Sequence, residues 1–375
     1  MDESGLKMSR RIRRTPFTEQ VENHNVSGYT VVNHTLLPKS FGKTLEEDYW
    51  HLKEHVQIWD VGCQRQVQIK GKDAARFVQW LTPRNLSNAK SGKCFYAPLI
   101  TEDGKIINDP VLLKLSNEKF WLSIADSDVL LWVKGLAVGS NMKVSIKEPD
   151  VWPLAVQGPK AQDLMVEIFG GEIENLKYFN FNWFSFDKQK QLIARSGYSK
   201  QGGFEIYLKG FELGSKLWKK IWEVGRKYKI RAGSPNIIER IEAGLLSYGN
   251  EMTLENNPLE CGLDKYCCFS NDVEYIGQKA LQKFQEIGVN KVIRGIRFSG
   301  HPQKPCSKPW RVSSKLTGEY VGEITSGVYS PYFQTNIGLA MIKKGFWDEK
   351  TTVSVLSEDG MSYDGEVCDI PFTAT

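Results

Sequence analysis

The amino-acid sequence predicts an α+β protein: two similar α+β units followed by a small β barrel or sandwich. The chain has 375 residues, which is more than one hydrophobic core usually organises. An order of strand, hairpin, strand and helix occurs twice before residue 286. From there to the end, short strands alternate with turns and no long helix is predicted. We therefore expect a C-terminal β domain over residues 286–375.

The first 45 residues are expected to form an N-terminal arm that packs on the first unit. The arm is irregular with short strands, one of them in the run Tyr29–Asn33. After the arm, apolar residues three or four apart predict a helix over 45–55, and alternation predicts a strand over 64–69. A helix is also predicted over 71–81, with Asp73 as its candidate cap.

In each α+β unit, the sequence predicts two strands joined by a turn. The first turn is acidic, Glu102–Gly104, and the second is rich in glycine. A helix follows in both units. The predicted elements are strands over 95–100, 111–115 and 120–124 with a helix over 128–139, then strands over 192–195 and 204–208 with a helix over 214–228, then barrel strands over 293–298, 351–355 and 365–370.

Composition and charge exclude several classes of function. The net charge of +5 is a small excess, and the basic run Ser9–Arg14 has no second cluster to support nucleic-acid binding. The N-terminus has no apolar core of a secretion signal, and no window is long enough to cross a membrane, so we expect a cytoplasmic protein. Seven irregularly spaced cysteines indicate neither a disulfide framework nor a zinc site.

Short motifs for other chemistries are weak or missing. His51–His55 fits the His-x-x-Glu-His pattern of zinc peptidases, but a third protein ligand is not evident, and a polar helix face is the simpler interpretation. No glycine-rich dinucleotide fingerprint, phosphate-binding loop or nucleophile elbow occurs. We expect no metal.

Four segments are individually weak and jointly specific: Glu102–Asp109, Ser196–Tyr207, Arg240–Glu251 and Gly322–Pro331. In this order and spacing they resemble the T-protein (aminomethyltransferase) family of the glycine cleavage system, from about residue 40 to the end. The resemblance implies a three-domain cloverleaf that holds tetrahydrofolate. It also implies a folate-binding region over 46–285, made of two interleaved α+β domains with a boundary near residue 150.

Within the family, other segments resemble a branch that demethylates a small sulfonium compound, dimethylsulfoniopropionate, with tetrahydrofolate as methyl acceptor. They include Glu54–Val61, Ser123–Trp132 and Ser247–Pro258. The chain also departs from T-proteins, which carry two aspartates at the catalytic strand, whereas here the first is Asn108. Gly62–Gln64 and Ser199–Gly203 depart as well, and these changes disfavour aminomethyl transfer from a lipoyl arm.

The resemblance implies roles for five residues. Asp109 matches the catalytic aspartate near folate N5, and Glu205 matches the acceptor for the pterin edge. Tyr96, Tyr248 and Arg240 match positions around folate. Taken alone, Asp109 would be read as a turn-capping residue, and Arg240 as half of an ordinary helix ion pair with Glu242.

Residue chemistry suggests the substrate contacts. Ser123 and Tyr207 could hydrogen-bond a substrate carboxylate, and Tyr207 shares a strand face with Glu205 because alternate residues point the same way. Tyr198, Trp121 and Trp183 are candidates for an aromatic cage around a sulfonium. Core packing is the plainer role for either tryptophan.

The expected reaction needs mainly alignment. A sulfonium methyl group is already activated because its leaving group is a neutral thioether, so in-line positioning dominates. Asp109 would stabilise the positive charge that develops at N5. The alternatives are a different small methyl donor, a folate-binding regulatory or repair protein without turnover, and glycine cleavage. The expected partners are folate and a small substrate, without nucleic acid or membrane; a homodimer is left open.

Overall fold

The computed structural model describes residues 9–374. Its α-helices are α1 (Thr18–Asn23), α2 (Leu45–Glu54), α3 (Ala74–Leu81), α4 (Val129–Gly139), α5 (Ala161–Phe169), α6 (Gly214–Gly225), α7 (Ile237–Glu242) and α8 (Gln278–Ile287). Its strands are β1 (Gly28–Val32), β2 (Thr35–Ser40), β3 (Gln57–Asp60), β4 (Gln66–Lys70), β5 (Lys93–Tyr96), β6 (Leu99–Ile100), β7 (Ile106–Asn108), β8 (Val111–Ser116), β9 (Lys119–Ser123), β10 (Ser145–Lys147), β11 (Val151–Gln157), β12 (Phe181–Phe186), β13 (Gln189–Ala194), β14 (Gly203–Lys209), β15 (Arg231–Gly233), β16 (Lys291–Phe298), β17 (Trp310–Ser314), β18 (Tyr320–Ser330), β19 (Thr335–Lys343), β20 (Thr352–Leu356) and β21 (Ser362–Cys368).

Most predicted elements are present, and the largest difference lies around the acidic turn. The predicted strand over 95–100 is divided at Pro98, and β6 pairs with β7 rather than with the strand that begins at Val111. Pro98 separates β5 from β6, and Pro110 separates β7 from β8, because proline has no N–H to donate to a strand ladder. The proposed Asp73 cap is wrong: its carboxylate instead accepts the Lys143 backbone N–H at 2.6 Å.

The described chain divides into two compact units. Unit 1 contains the described residues up to Ala75, with Ala89–Phe95 and Pro110–Pro235. Unit 2 contains Arg76–Asn88, Tyr96–Asp109 and the chain from Asn236 onward.

Unit 1 is built on two β-sheets. The five-stranded sheet has the order β10-β4-β9-β8-β5, and the six-stranded sheet has the order β12-β13-β14-β11-β3-β15. Only β15 and β3 are paired in parallel among the pairings described for these sheets. Between Lys147 and Val151 the chain leaves β10 of the five-stranded sheet and enters β11 of the six-stranded sheet, and both strands belong to unit 1.

The N-terminal arm contributes to the core of unit 1. Helix α1, which the sequence analysis did not predict, brings Phe17 and Val21 into a cluster with Trp218, and all three are almost fully buried. The rings of Phe17 and Trp218 are 6.3 Å apart. Helix α5 was also not predicted, and it buries Leu164 and Met165 in the same cluster.

Unit 2 carries the β6–β7 hairpin, α7, α8 and a closed barrel of order β16-β19-β18-β17-β20-β21. The barrel strands alternate inward and outward residues, so that Ile324, Val312 and Val355 fill its interior. The six-stranded barrel agrees with the predicted C-terminal β domain. Among residues 9–374, no helix has the length and apolar character that crossing a bilayer requires.

Candidate active site

Asp109 lies at the end of the β6–β7 hairpin in unit 2. The turn closes with a hydrogen bond from the Gly104 N–H to the Thr101 carbonyl at 2.9 Å. Gly104 has a φ of +76°, a left-handed conformation that glycine adopts without strain. Ile106 N–H donates to the Asn256 carbonyl at 2.8 Å, which fixes β7. The hairpin therefore delivers Asp109 at the end of a rigid strand.

The carboxylate of Asp109 is only half satisfied. Its Oδ2 accepts the Tyr96 hydroxyl at 2.7 Å. Its Oδ1 is buried and has no hydrogen-bond partner within residues 9–374, although the residue as a whole is partly exposed. The pKa of Asp109 is raised to about 7. Burial is the largest cause, the Tyr96 hydrogen bond acts against it, and the charge of Glu251 adds a smaller increase. Asp109 can therefore exchange a proton near neutral pH.

Two other aromatic residues surround Tyr96 and Asp109. The rings of Tyr96 and Tyr266 lie 5.0 Å apart, and Arg84 lies over the Tyr266 ring at 5.1 Å. Arg84 also donates to the Tyr96 carbonyl at 2.6 Å, which holds the strand that carries the tyrosine. Burial and then the charge of Asp109 raise the pKa of Tyr248, which places its hydroxyl in the field of that carboxylate.

Arg240 is held in a buried ion pair. Its Nη1 lies 3.1 Å from Oε2 of Glu251, and both side chains are buried. The Ser247 backbone N–H donates to the same oxygen at 2.8 Å. Glu242 instead accepts the Ser330 hydroxyl at 2.5 Å. Arg240 and Glu242 are two residues apart on α7, a spacing that does not turn side chains toward each other, so the geometry favours Glu251 as the ion-pair partner of Arg240.

Glu205 lies on β14 in unit 1, beside the glycine-rich turn. It is buried and accepts the Ser196 hydroxyl. Burial raises its pKa, and the Ser196 hydrogen bond partly offsets this. The charge of Glu205 in turn helps to raise the pKa values of Cys94 and Tyr207, so these side chains lie within its field.

The glycine-rich turn positions Ser196 by wrapping the Gln157 side chain. A Cβ at Gly197 or Gly203 would lie within 2.6 Å of the Gln157 carboxamide, so only glycine fits at both positions. Gln157 Nε2 donates to the Ser196 carbonyl at 3.1 Å, and Ser199 donates to its Oε1 at 2.8 Å. The turn thus holds a hydroxyl against Glu205.

Tyr207 and Ser123 lie close to each other in unit 1. The Tyr207 hydroxyl is buried and makes no hydrogen bond of normal geometry within residues 9–374. Ser123 nevertheless lies close enough to lower its pKa, against a larger increase from burial. Ser123 Oγ accepts Gln66 Nε2 at 2.9 Å and keeps its own O–H as a donor. The Tyr207 hydroxyl therefore retains hydrogen-bonding capacity next to Ser123.

The three candidate cage residues have different surroundings. Tyr198 is half-buried in the glycine-rich turn. Trp121 is buried in a core cluster with Tyr207, and Trp183 is 38% exposed. Both tryptophans line a cavity that also contains four lysines. Four ammonium groups raise the energy of a cation there, which argues against a sulfonium cage at Trp121 and Trp183.

The predicted residues fall into two groups. Tyr96, Asp109, Arg240 and Tyr248 lie in unit 2, and Ser123, Tyr198, Glu205 and Tyr207 lie in unit 1. The sequence analysis assigned no role to Ser196 and Glu251, although both lie within quoted motifs. Among residues 9–374, no three metal-binding side chains lie together, and His51 Nε2 faces the Lys229 carbonyl at 2.8 Å.

Comparisons with known proteins identify the family. The GCVT N-terminal domain matches residues 17–271, and the glycine cleavage T-protein C-terminal barrel domain matches residues 293–373. Dimethylsulfoniopropionate demethylase DmdA of Ruegeria pomeroyi is 45% identical over 94% of this chain and 95% of its own. An aminomethyltransferase of Thermosipho melanesiensis is 30% identical over 81% of this chain and 82% of its own.

A solved structure confirms the predicted fold. The glycine cleavage system aminomethyltransferase T of Bartonella henselae superposes with a TM-score of 0.86, covering 96% of this chain and 98% of that one, at 20% identity. The family prediction is also confirmed by the two domain matches and the relative at 45% identity. This chain belongs to the glycine cleavage T-protein (aminomethyltransferase) family.

Proposed function

We propose that this protein demethylates dimethylsulfoniopropionate with tetrahydrofolate as methyl acceptor, giving 5-methyltetrahydrofolate and 3-(methylthio)propionate. The 45% identity to a demethylase of that name, against 30% to an aminomethyltransferase, supports this assignment. The observation that carries the transfer chemistry is the buried, unpartnered Oδ1 of Asp109 on a carboxylate with a pKa of about 7, and the 45% identity carries the choice of methyl donor.

The residues present fit tetrahydrofolate. The buried Glu205 carboxylate suits paired N–H donors such as those of an aminopyrimidinone edge. The free lone pairs of Asp109 Oδ1 suit an amine that becomes positively charged. When bound, tetrahydrofolate supplies the nucleophilic amine N5, which takes the methyl group from the sulfonium. The buried Arg240–Glu251 pair lends rigidity to the loop after α7.

Asp109 provides electrostatic stabilisation and a proton acceptor. Its anionic form attracts positive charge at Oδ1, and that attraction is strong because the oxygen is buried away from water. A pKa of about 7 also allows Oδ1 to take a proton and release it later near neutral pH. The Tyr96 hydroxyl holds Oδ2 and so fixes the direction of Oδ1.

The asparagine at position 108, where T-proteins carry a first aspartate, supports the proposal that the methyl group comes from a small free donor. The residue is fully buried in β7, directly before Asp109. An aspartate there would place a second carboxylate near Asp109, whose pKa is already raised to about 7 by burial. Ionising both carboxylates would carry a large electrostatic penalty, because like charges repel. Asparagine leaves Asp109 as the single acid of this strand end.

We expect Tyr96→Phe to move the acidic limb of the pH–rate profile to higher pH. The lost hydrogen bond stabilises the charged carboxylate, so its removal raises the pKa of Asp109. A hydrogen bond to a charged group contributes roughly 1.5–3 kcal/mol, which corresponds to a shift of about one to two pH units. Tyr320→Phe is the control, because it removes a hydroxyl from an exposed position of β18 that has no assigned role in the site. An unmoved midpoint in Tyr96→Phe would contradict this assignment.

The activity itself is tested with pure protein, reduced tetrahydrofolate and a panel of donors under anaerobic conditions. We expect 3-(methylthio)propionate from dimethylsulfoniopropionate and little product from a betaine, a methylamine or a methoxy compound. Turnover confined to one of those donors would select the second candidate. Folate binding without any turnover would indicate a regulatory protein, and stimulation by a lipoylated carrier protein would indicate glycine cleavage.

A further inference from the structure

A cavity of about 680 Å³ in unit 1 carries a concentration of positive charge that the proposed reaction does not use. Its lining residues include four lysines from four strands, at positions 70, 119, 147 and 209. Trp121 and Trp183 supply aromatic surface, and Gln68 supplies an amide.

Strand register places three of the lysines on one face of the five-stranded sheet. Lys70 on β4 lies directly opposite Lys119 on β9. Lys147 on β10 pairs with Gln68, two residues from Lys70 on the same strand, so it points to the same side. Lys209 ends β14, where it pairs with Val151, another residue of the cavity wall.

This charge is not neutralised by neighbouring carboxylates. Within residues 9–374, none of the four lysines takes part in an ion pair. Asp150 also lines the cavity, but its two oxygens accept Trp152 Nε1 at 2.6 Å and Phe211 N–H at 3.3 Å. Four cations therefore face one carboxylate that is already hydrogen-bonded.

Keeping these lysines together has a cost. Like charges directly opposite each other across two strands are destabilising. Burial lowers the pKa of Lys119, and the charges of Lys209, Lys70 and Lys147 lower it further. A bound anion would reverse this penalty, because each lysine would gain a partner of opposite charge.

We propose that this cavity is a binding site for a small polyanion that carries two or more phosphate or carboxylate groups. Lys70, Lys119 and Lys147 bind the anionic groups from one sheet face, and Lys209 adds a fourth ammonium group from the end of β14. Trp183, which is 38% exposed, offers a surface for a planar group of the same ligand. The site is independent of the methyl donor and involves residues of unit 1 alone.

Calorimetry at low ionic strength tests the site with three probes: inorganic triphosphate, citrate and ATP. We expect saturable binding of at least one of them, which the double variant Lys119→Gln/Lys147→Gln weakens by about 10-fold or more, because it removes two charged hydrogen-bond donors to the anion. The control Lys219→Gln/Lys220→Gln makes the same charge change at two exposed positions of α6 and should leave binding within about twofold. If ATP binds more tightly than triphosphate and Trp183→Ala removes this difference, the ligand carries a planar group. If citrate binds most tightly, its anionic groups are carboxylates.

Thermal unfolding without ligand gives an independent measurement. Lys119→Gln should raise the Tm at low salt, since it removes repulsion among the lysines, and salt should reduce the gain. Equal anion binding by wild type and Lys119→Gln/Lys147→Gln would overturn the proposal. So would the absence of binding by all three probes.

Discussion

Asp109→Asn should lower kcat by about 10²–10³-fold while the Kd for tetrahydrofolate changes by less than about threefold. The side chains have the same shape, and Asn can still accept the Tyr96 hydroxyl that now meets Oδ2 at 2.7 Å. What the variant loses is the negative charge at the buried Oδ1 and the ability to take a proton near neutral pH. Stopped-flow turnover and folate calorimetry separate the two effects.

The control for this variant is Asp103→Asn, which removes the same charge from an exposed position in the same turn. We expect it to retain wild-type kcat. Equal turnover by Asp109→Asn and wild type would remove Asp109 from the mechanism. A loss of folate affinity as large as the loss of kcat would make Asp109 a binding residue instead.

Asp109→Asn should raise the stability of the protein at neutral and alkaline pH, although it lowers kcat. The folded-state pKa of Asp109 is raised to about 7 from 3.8, so between these values the folded protein holds a proton that the unfolded chain has lost. Asp109 therefore lowers stability progressively as pH rises from about 4 to about 7. We expect Asp109→Asn to have the higher Tm at pH 8, with the difference disappearing near pH 4. A general structural defect would lower the Tm at both.

Glu205→Gln should weaken tetrahydrofolate binding by roughly 10–100-fold, the loss expected for hydrogen bonds to a charged group. Glutamine offers one acceptor oxygen and turns an N–H donor toward donors of the ligand, whereas the carboxylate can accept two N–H groups. The buried position prevents water from substituting. At saturating folate, kcat should fall much less than affinity.

Glu223→Gln, at an exposed position of α6, is the matched control and should bind folate like wild type. Because burial raises the pKa of Glu205, wild-type folate affinity should also fall as pH drops and the carboxyl takes up a proton. The Glu205→Gln variant should show a flatter pH dependence. Unchanged calorimetric affinity in the variant would exclude Glu205 as a folate ligand.

Sequence patterns predicted the local structure well where neighbouring residues decide it. Apolar spacing gave α2, alternation gave β4, and the glycine-rich turn between β13 and β14 was expected before its packing around Gln157 was known. The predicted strand over 95–100 is instead two strands, because Pro98 has no N–H to continue the ladder, and the apolar pattern alone does not show this.

Long-range pairing could not be predicted in the same way. Arg240 meets Glu251 across a loop of irregular backbone, and no periodicity relates the two. Lys70 and Lys119 become neighbours only through the register of β4 and β9. A one-residue change in register would point one of them to the other face, so the lysine cavity is a property of the fold that a single sequence does not reveal.

Transfer of a labelled methyl group tests the central claim most directly. Dimethylsulfoniopropionate carrying ¹³C in both S-methyl groups is mixed with enzyme and tetrahydrofolate in a single turnover, and both products are followed by mass spectrometry. We predict one labelled methyl in 5-methyltetrahydrofolate for each 3-(methylthio)propionate formed, at a rate that falls in Asp109→Asn. Formation of 3-(methylthio)propionate without label in the folate, or no product from this donor, would contradict the account.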